Sequence, residues 1–106
     1  MNAEKLRETI KRRIALDAND DSATMECWSI ETDILTVNIT ESIEFLKTCS
    51  EEEFYWLSEV FDEVIDKTQS QELFLAMCDR NALLENQEYR ESIETDLSYA
   101  RASLIE

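Results

Sequence analysis

Apolar residues recur at helical intervals along this chain, and polar clusters divide them into segments. Leu6, Ile10 and Ile14 lie four apart and predict a first helix over about residues 2–17. Glu8–Arg12 and Arg13–Asp17 would be i,i+4 pairs on it. Asn19-Asp20-Asp21-Ser22 reads as a turn and cap. A second helix is expected from about 22 to 36, with Cys27, Ile30, Ile34 and Val37 on one side. The stretch Thr36-Val37-Asn38-Ile39-Thr40 is rich in β-branched residues and poor for a helix interior. Asn38 followed by Glu41 resembles a capping box, so a break or kink is placed there. A third helix then carries Ile39, Ile43 and Leu46 to about Thr48.

Ser50-Glu51-Glu52-Glu53 is the clearest helix start in the sequence. The Ser50 hydroxyl can accept from the orphan amide of Glu53, and three acids meet the positive end of the helix dipole. This helix is expected to run to about Lys67. Ser70-Gln71-Glu72 starts another, through about Leu84, and Asn86-Gln87-Glu88 starts the last. Tyr89, Ile93, Leu97, Ala100 and Leu104 form its inner stripe.

Composition sharpens the fold class. The 106 residues include no Gly and no Pro. Hairpin turns usually need Gly or Asn at positive φ, whereas short polar links between helices need neither. A hydrophobic share of 43% separates the chain from acidic disordered tails. The expectation is an all-α fold: one domain over 1–106, a compact bundle of five or six helices with short polar links. No internal repeat supports a solenoid.

Charge then directs attention to one helix. The net charge is −15, yet residues 1–13 carry five bases against two acids. The segment Glu51 to Asp66 holds seven acids and no base. At 100° per residue, Phe54, Leu57, Phe61, Val64 and Ile65 share one arc, with Val60 at its edge. Glu52, Tyr55, Glu59, Asp62, Glu63 and Asp66 fall on the opposite arc, with Trp56 at the border. Like charges at i,i+4 destabilise a helix by roughly 0.2–0.5 kcal/mol per pair. Aromatics beside such a cluster suit the centre of an interface. Gln69, Ser70 and Glu72 could extend the patch around the next helix start. Two readings of this face compete: a docking surface for a cationic protein, or a solvated face across which the basic first helix lies.

Several chemistries lack their residues. Without His there is no Ser-His or Cys-His pair, and without Gly no phosphate-cradling loop. Asp17, Asn19 and Asp21 match three positions of a calcium loop. Ser22 and Trp28 stand where that loop needs Gly and a bidentate Glu. Cys27, Cys49 and Cys78 lack zinc-site spacing and read as free thiols in a reducing cytosol. The expectation is a binding protein and not an enzyme, with no cofactor and no metal. The longest apolar run, Leu73 to Cys78, is too short to span a bilayer, and no signal peptide is recognised. The expected location is the cytoplasm, and so acidic a chain should bind neither nucleic acid nor membrane directly.

The stretch from Glu41 to Glu63, with Trp56-Leu-Ser-Glu-Val-Phe-Asp62, followed by Lys67-Thr-Gln-Ser70, resembles a group of small helical bacterial proteins. These are the immunity proteins of contact-dependent growth inhibition and related polymorphic toxin systems. The resemblance covers about residues 41–105 and departs most in the first 30. It implies an antidote that binds one toxin domain, commonly a nuclease with a basic substrate groove, and it carries over no catalytic motif. Two other classes stay open. One is a nucleic-acid mimic that occupies DNA-binding proteins. The other is a structural adaptor, such as a homodimer pairing the basic first helix with the acidic one.

Overall fold

The computed structural model describes residues 1–105. Its elements, in chain order, are α1 (Ala3–Ala15), α2 (Asp21–Val37), α3 (Ile39–Thr48), α4 (Glu51–Leu57), α5 (Phe61–Thr68), α6 (Gln71–Ala82) and α7 (Gln87–Ser103). A 3₁₀ turn, Ser58–Val60, joins α4 to α5. Counting that pair as one bent helix, six helices build the fold, and there is no strand among the described residues.

Six side chains start these helices in place of glycine-containing loops. Asn2, Asp20, Asn38, Ser50, Ser70 and Asn86 each accept from a backbone amide three residues on. Such caps satisfy one orphan donor each and contribute about 1 kcal/mol apiece. Ser50 and Glu53 form the full reciprocal capping box, with contacts of 3.0 and 2.8 Å. The break at Asn38 is real: its backbone is extended, and the buried Ser42 hydroxyl donates to the Leu35 carbonyl at 2.8 Å across the junction.

The C-terminal end of α5 shows how a glycine-free chain closes a helix. Gln69 sits in the left-handed region at φ 51°, a position glycine usually takes. A side chain there costs about 1 kcal/mol. The Gln69 amide compensates by donating to the carbonyls of Asp66 at 3.0 Å and Ser103 at 2.8 Å. Its carbonyl oxygen accepts from the Ile105 amide at 2.8 Å. One residue therefore caps α5 and ties down the end of α7.

The bent α4–α5 helix runs through the middle of the core. Phe54, Leu57, Phe61, Val64 and Ile65 are fully buried, as the arc predicted, and Val60 joins them. Phe54 and Phe61 pack with ring centroids 5.2 Å apart. Burying each such ring contributes roughly 1.5–3 kcal/mol. Around this axis α5 packs on α7 and α2, α1 on α2 and α4, and α6 on α3 and α7. Leu6, Leu35, Leu46, Leu73, Met77 and Ile93 complete one continuous core. No helix among the described residues is long and apolar enough to cross a membrane.

Three sequence expectations need correction. The helix expected over 51–67 is not continuous, because Val60 (φ −109°, ψ 5°) leaves α-helical geometry and bends the axis. The inner face of α2 is Cys27, Glu31, Thr32 and Leu35, while Val37 is exposed and Ile30 and Ile34 are half-buried. Rotation of α2 toward α1 and α5 selects that stripe and takes a carboxylate inside with it. The i,i+4 pairs expected on α1 do not form either. Arg7, Arg12 and Arg13 reach instead to Glu53 at 3.3 Å, Glu26 at 3.0 Å and Glu59 at 2.9 Å. A long guanidinium stem gains more from a carboxylate on a neighbouring helix that is already fixed by packing.

Candidate functional site

The bend between α4 and α5 turns a set of carboxylates and aromatic rings toward α1, α2 and α7. Glu59, on the 3₁₀ turn, is its centre. Arg13 of α1 grips it with two hydrogen bonds, Nε to Oε1 at 3.0 Å and Nη2 to Oε2 at 2.9 Å. The Trp28 indole N–H of α2 donates to Oε1 as well, at 3.2 Å. The Arg13 guanidinium also lies 5.0 Å from the centre of the Trp56 ring. Parallel guanidinium–carboxylate bonds over an aromatic face are a strong, directional arrangement.

Glu59 is therefore paired within the chain, so at this residue the reading in which the basic first helix lies across the acidic face holds, and Glu59 is removed from the outward-facing set. Glu63 keeps a loose i,i+4 contact with Lys67 at 3.8 Å, both ends exposed. Such a pair contributes at most a few tenths of a kcal/mol. Asp62 and Asp66 are exposed and make no ion pair among the described residues. The surviving acidic face is Asp62, Glu63 and Asp66 on α5.

Beside it runs a groove of about 410 Å³ between α2 and the bend. Met25, Trp28 and Thr32 line its α2 side, and Asp62, Glu63 and Lys67 line the other. Met25 is 64% exposed and Trp28 36%. The groove thus sets a thioether and an indole next to carboxylates. Met25, Trp28, Ser29 and Thr32 follow i, i+3, i+4, i+7 spacing on α2. That spacing is visible in the sequence, but with Ser29 and Thr32 in it the set is no apolar stripe, and nothing local separates it from an ordinary solvated face.

On the other side of Glu59 lies a smaller polar cleft of about 220 Å³, lined by Tyr55, Trp56, Ser58, Ser92 and Asp96. Burial pushes the Asp96 carboxyl above the usual carboxylate range, with Asp62 and Glu59 adding to the rise and the Ser58 hydroxyl opposing it. Tyr55 does not point outward with the acids. Its ring stacks on Tyr89 of α7 at 4.2 Å and meets the Trp56 ring edge-on at 5.6 Å. Both rings are half-buried and fix the cleft's wall.

Four other proposed positions separate from this centre. Glu52 is exposed on α4, before the bend. Gln69 and Ser70 serve as helix caps, and their polar atoms are used within the chain. Glu72 lines a different groove, between α3 and α6.

A further carboxylate lies under the site. Glu31 of α2 is fully buried, and neither carboxylate oxygen has a hydrogen-bond partner. Burial pushes its carboxyl up to about 8, Glu59 contributing and Arg13 opposing. At neutral pH Glu31 is therefore mostly protonated, and Arg13 is left to Glu59. Its position on the inner face of α2 came from helix rotation, which no sequence signal specified. Comparison with family models, curated proteins and solved structures returns no match for this chain.

Proposed function

We propose that this chain is a binding protein that neutralises a cationic protein partner, and that the partner is a toxin domain, such as a nuclease, to which this chain is the immunity protein. The observation that carries the reading is the groove between α2 and α5. There the half-exposed Trp28 and the exposed Met25 adjoin Asp62 and Glu63, with Asp66 one turn further on. Aromatic and thioether anchors supply contact area at an interface centre, while carboxylates at its edge steer a basic surface into register. A nuclease substrate groove is basic because it binds phosphate, so an acidic surface with an apolar anchor is its physical complement. Glu59 supports the face from behind by holding Trp28 in place and does not itself contact the partner.

The test is whether a toxin-domain protein is encoded beside this chain and co-purifies with it, scored by protection of cells. Charge reversal at Asp62 and Asp66 is expected to slow association at low salt. Truncation of Trp28 to Ala is expected to speed dissociation. A partner that binds all these variants equally well removes the face from consideration. Equal competition with duplex DNA for many unrelated basic proteins would favour the nucleic-acid mimic instead.

A further inference from the structure

We propose that the groove between α3 and α6 is a self-association surface that receives α6 of a second copy of this chain. The groove measures about 490 Å³ and lies away from the acidic face on α5. Leu75 and Leu83 line it and are 58% and 74% exposed. Leu75 stands on α6 and Leu83 is the residue that caps its C-terminal end, about two turns further on, with Ala76 directly after Leu75 in the same lining. A small residue in the lining lets two helix backbones approach closely, with the leucines covering the contact.

Charge identifies the occupant. The groove's charged residues are Lys47 and Arg80 against Glu72 and Asp79, so this face is neutral on a chain of net charge −15. A second copy carries the same excess and meets little repulsion at a neutral face, whereas a cationic partner is drawn more strongly to α5. The charges are also ordered. Arg80 donates to the Cys49 carbonyl at 2.9 Å, which sets the C-terminal end of α3, and Lys47 with it, beside the later turns of α6. Glu72 stands in the first turn of α6. With Asp79 beside Arg80, the end of the groove that holds Lys47 carries one net positive charge, and the Glu72 end one negative charge. A two-fold axis crossing α6 near Ala76 reverses the helix and lays each basic end on the other copy's acidic end. Neither Lys47 nor Glu72 makes an ion pair among the described residues, so both are available for that contact.

The test is sedimentation equilibrium of the full chain over a range of protein concentration at low and at moderate salt. The expected result is a monomer–dimer equilibrium that shifts toward dimer as salt rises. Screening relieves the repulsion between two highly acidic chains beyond a Debye length of about 10 Å at 0.1 M, and leaves the apolar contact intact. Leu75→Glu, at an exposed position, should weaken the dimer about tenfold or more with unchanged helical circular dichroism. Lys47→Glu should weaken it, and adding Glu72→Lys in the same chain should restore it. A wild-type chain that stays monomeric at every concentration and salt overturns the proposal. So does a dimer that survives Leu75→Glu and Lys47→Glu unchanged. A groove that instead takes the cationic partner would show as Leu75→Glu weakening that complex while the wild type alone remains monomeric, and this also counts against self-association.

Discussion

Replacing Glu31 by Gln tests the least expected feature of this core, a fully buried carboxyl with no hydrogen-bond partner. In the unfolded chain its ordinary value is 4.5, and in the fold burial raises it to about 8. The raised value fixes the sign. Below the unfolded value both states are protonated and Glu31 imposes no electrostatic penalty. Between the two values the unfolded state releases a proton that the folded state retains, so stability falls as pH rises. Above the folded value the loss is complete. Each pH unit within the window removes about 1.4 kcal/mol. From about pH 5.5 to about pH 7.5 the group should therefore remove roughly 2–3 kcal/mol of wild-type stability. Gln has nearly the same shape and does not titrate, so any constant effect of burying its amide cancels from the slope. Urea denaturation at half-unit pH steps would measure both proteins. The gap between Glu31→Gln and wild type should widen in the variant's favour through that window and level off above it. A gap that stays constant with pH would refute the assignment of a neutral, desolvated Glu31 beside Arg13 and Glu59.

Three other substitutions probe how the site and helix ends are held. Arg13→Met keeps the buried stem but leaves Glu59 part-buried with only the Trp28 indole, and should lower stability by about 1–3 kcal/mol in urea melts. Adding Glu59→Gln should recover part of that loss, and independence of the two changes would contradict the pairing. Gln69→Ala keeps a non-glycine residue at φ 51° while removing the bonds to Ser103 and Ile105. It should cost about 1–2 kcal/mol and accelerate amide exchange at the end of α7, and protection there equal to wild type would show that Gln69 is not the tie. Ser50→Ala breaks the capping box of α4 and should cost about 1 kcal/mol by thermal melting. No change would mean that the acids at Glu51–Glu53 carry the helix start alone.

Much of the fold is legible in the residues themselves. Helix starts were readable because Asn38, Ser50, Ser70 and Asn86 act on amides three residues away, a local interaction that needs no tertiary context. The core stripe of α4–α5 was readable because five large apolar residues at helical spacing leave only one side to bury. The lack of Gly and Pro confined the chain to helices and short polar links. The rotation of α2 was not readable. Cys27-Glu31-Leu35 and the expected Cys27-Ile30-Ile34-Val37 are alternative stripes on one cylinder that share Cys27, and only docking on α1 and α5 chose between them.

The candidate site divides along the same line. The sequence determined that Asp62, Glu63 and Asp66 share an outward face, because helical spacing makes them neighbours wherever the helix docks. It did not determine the partners of Glu59, which lies 46 residues from Arg13 and 31 from Trp28 along the chain. Local pairs such as Arg13–Asp17 were equally available on paper. Tertiary packing decided between them, because a carboxylate already held by the bend between α4 and α5 can bind a guanidinium with little further loss of side-chain freedom, and a flexible neighbour on the same helix cannot.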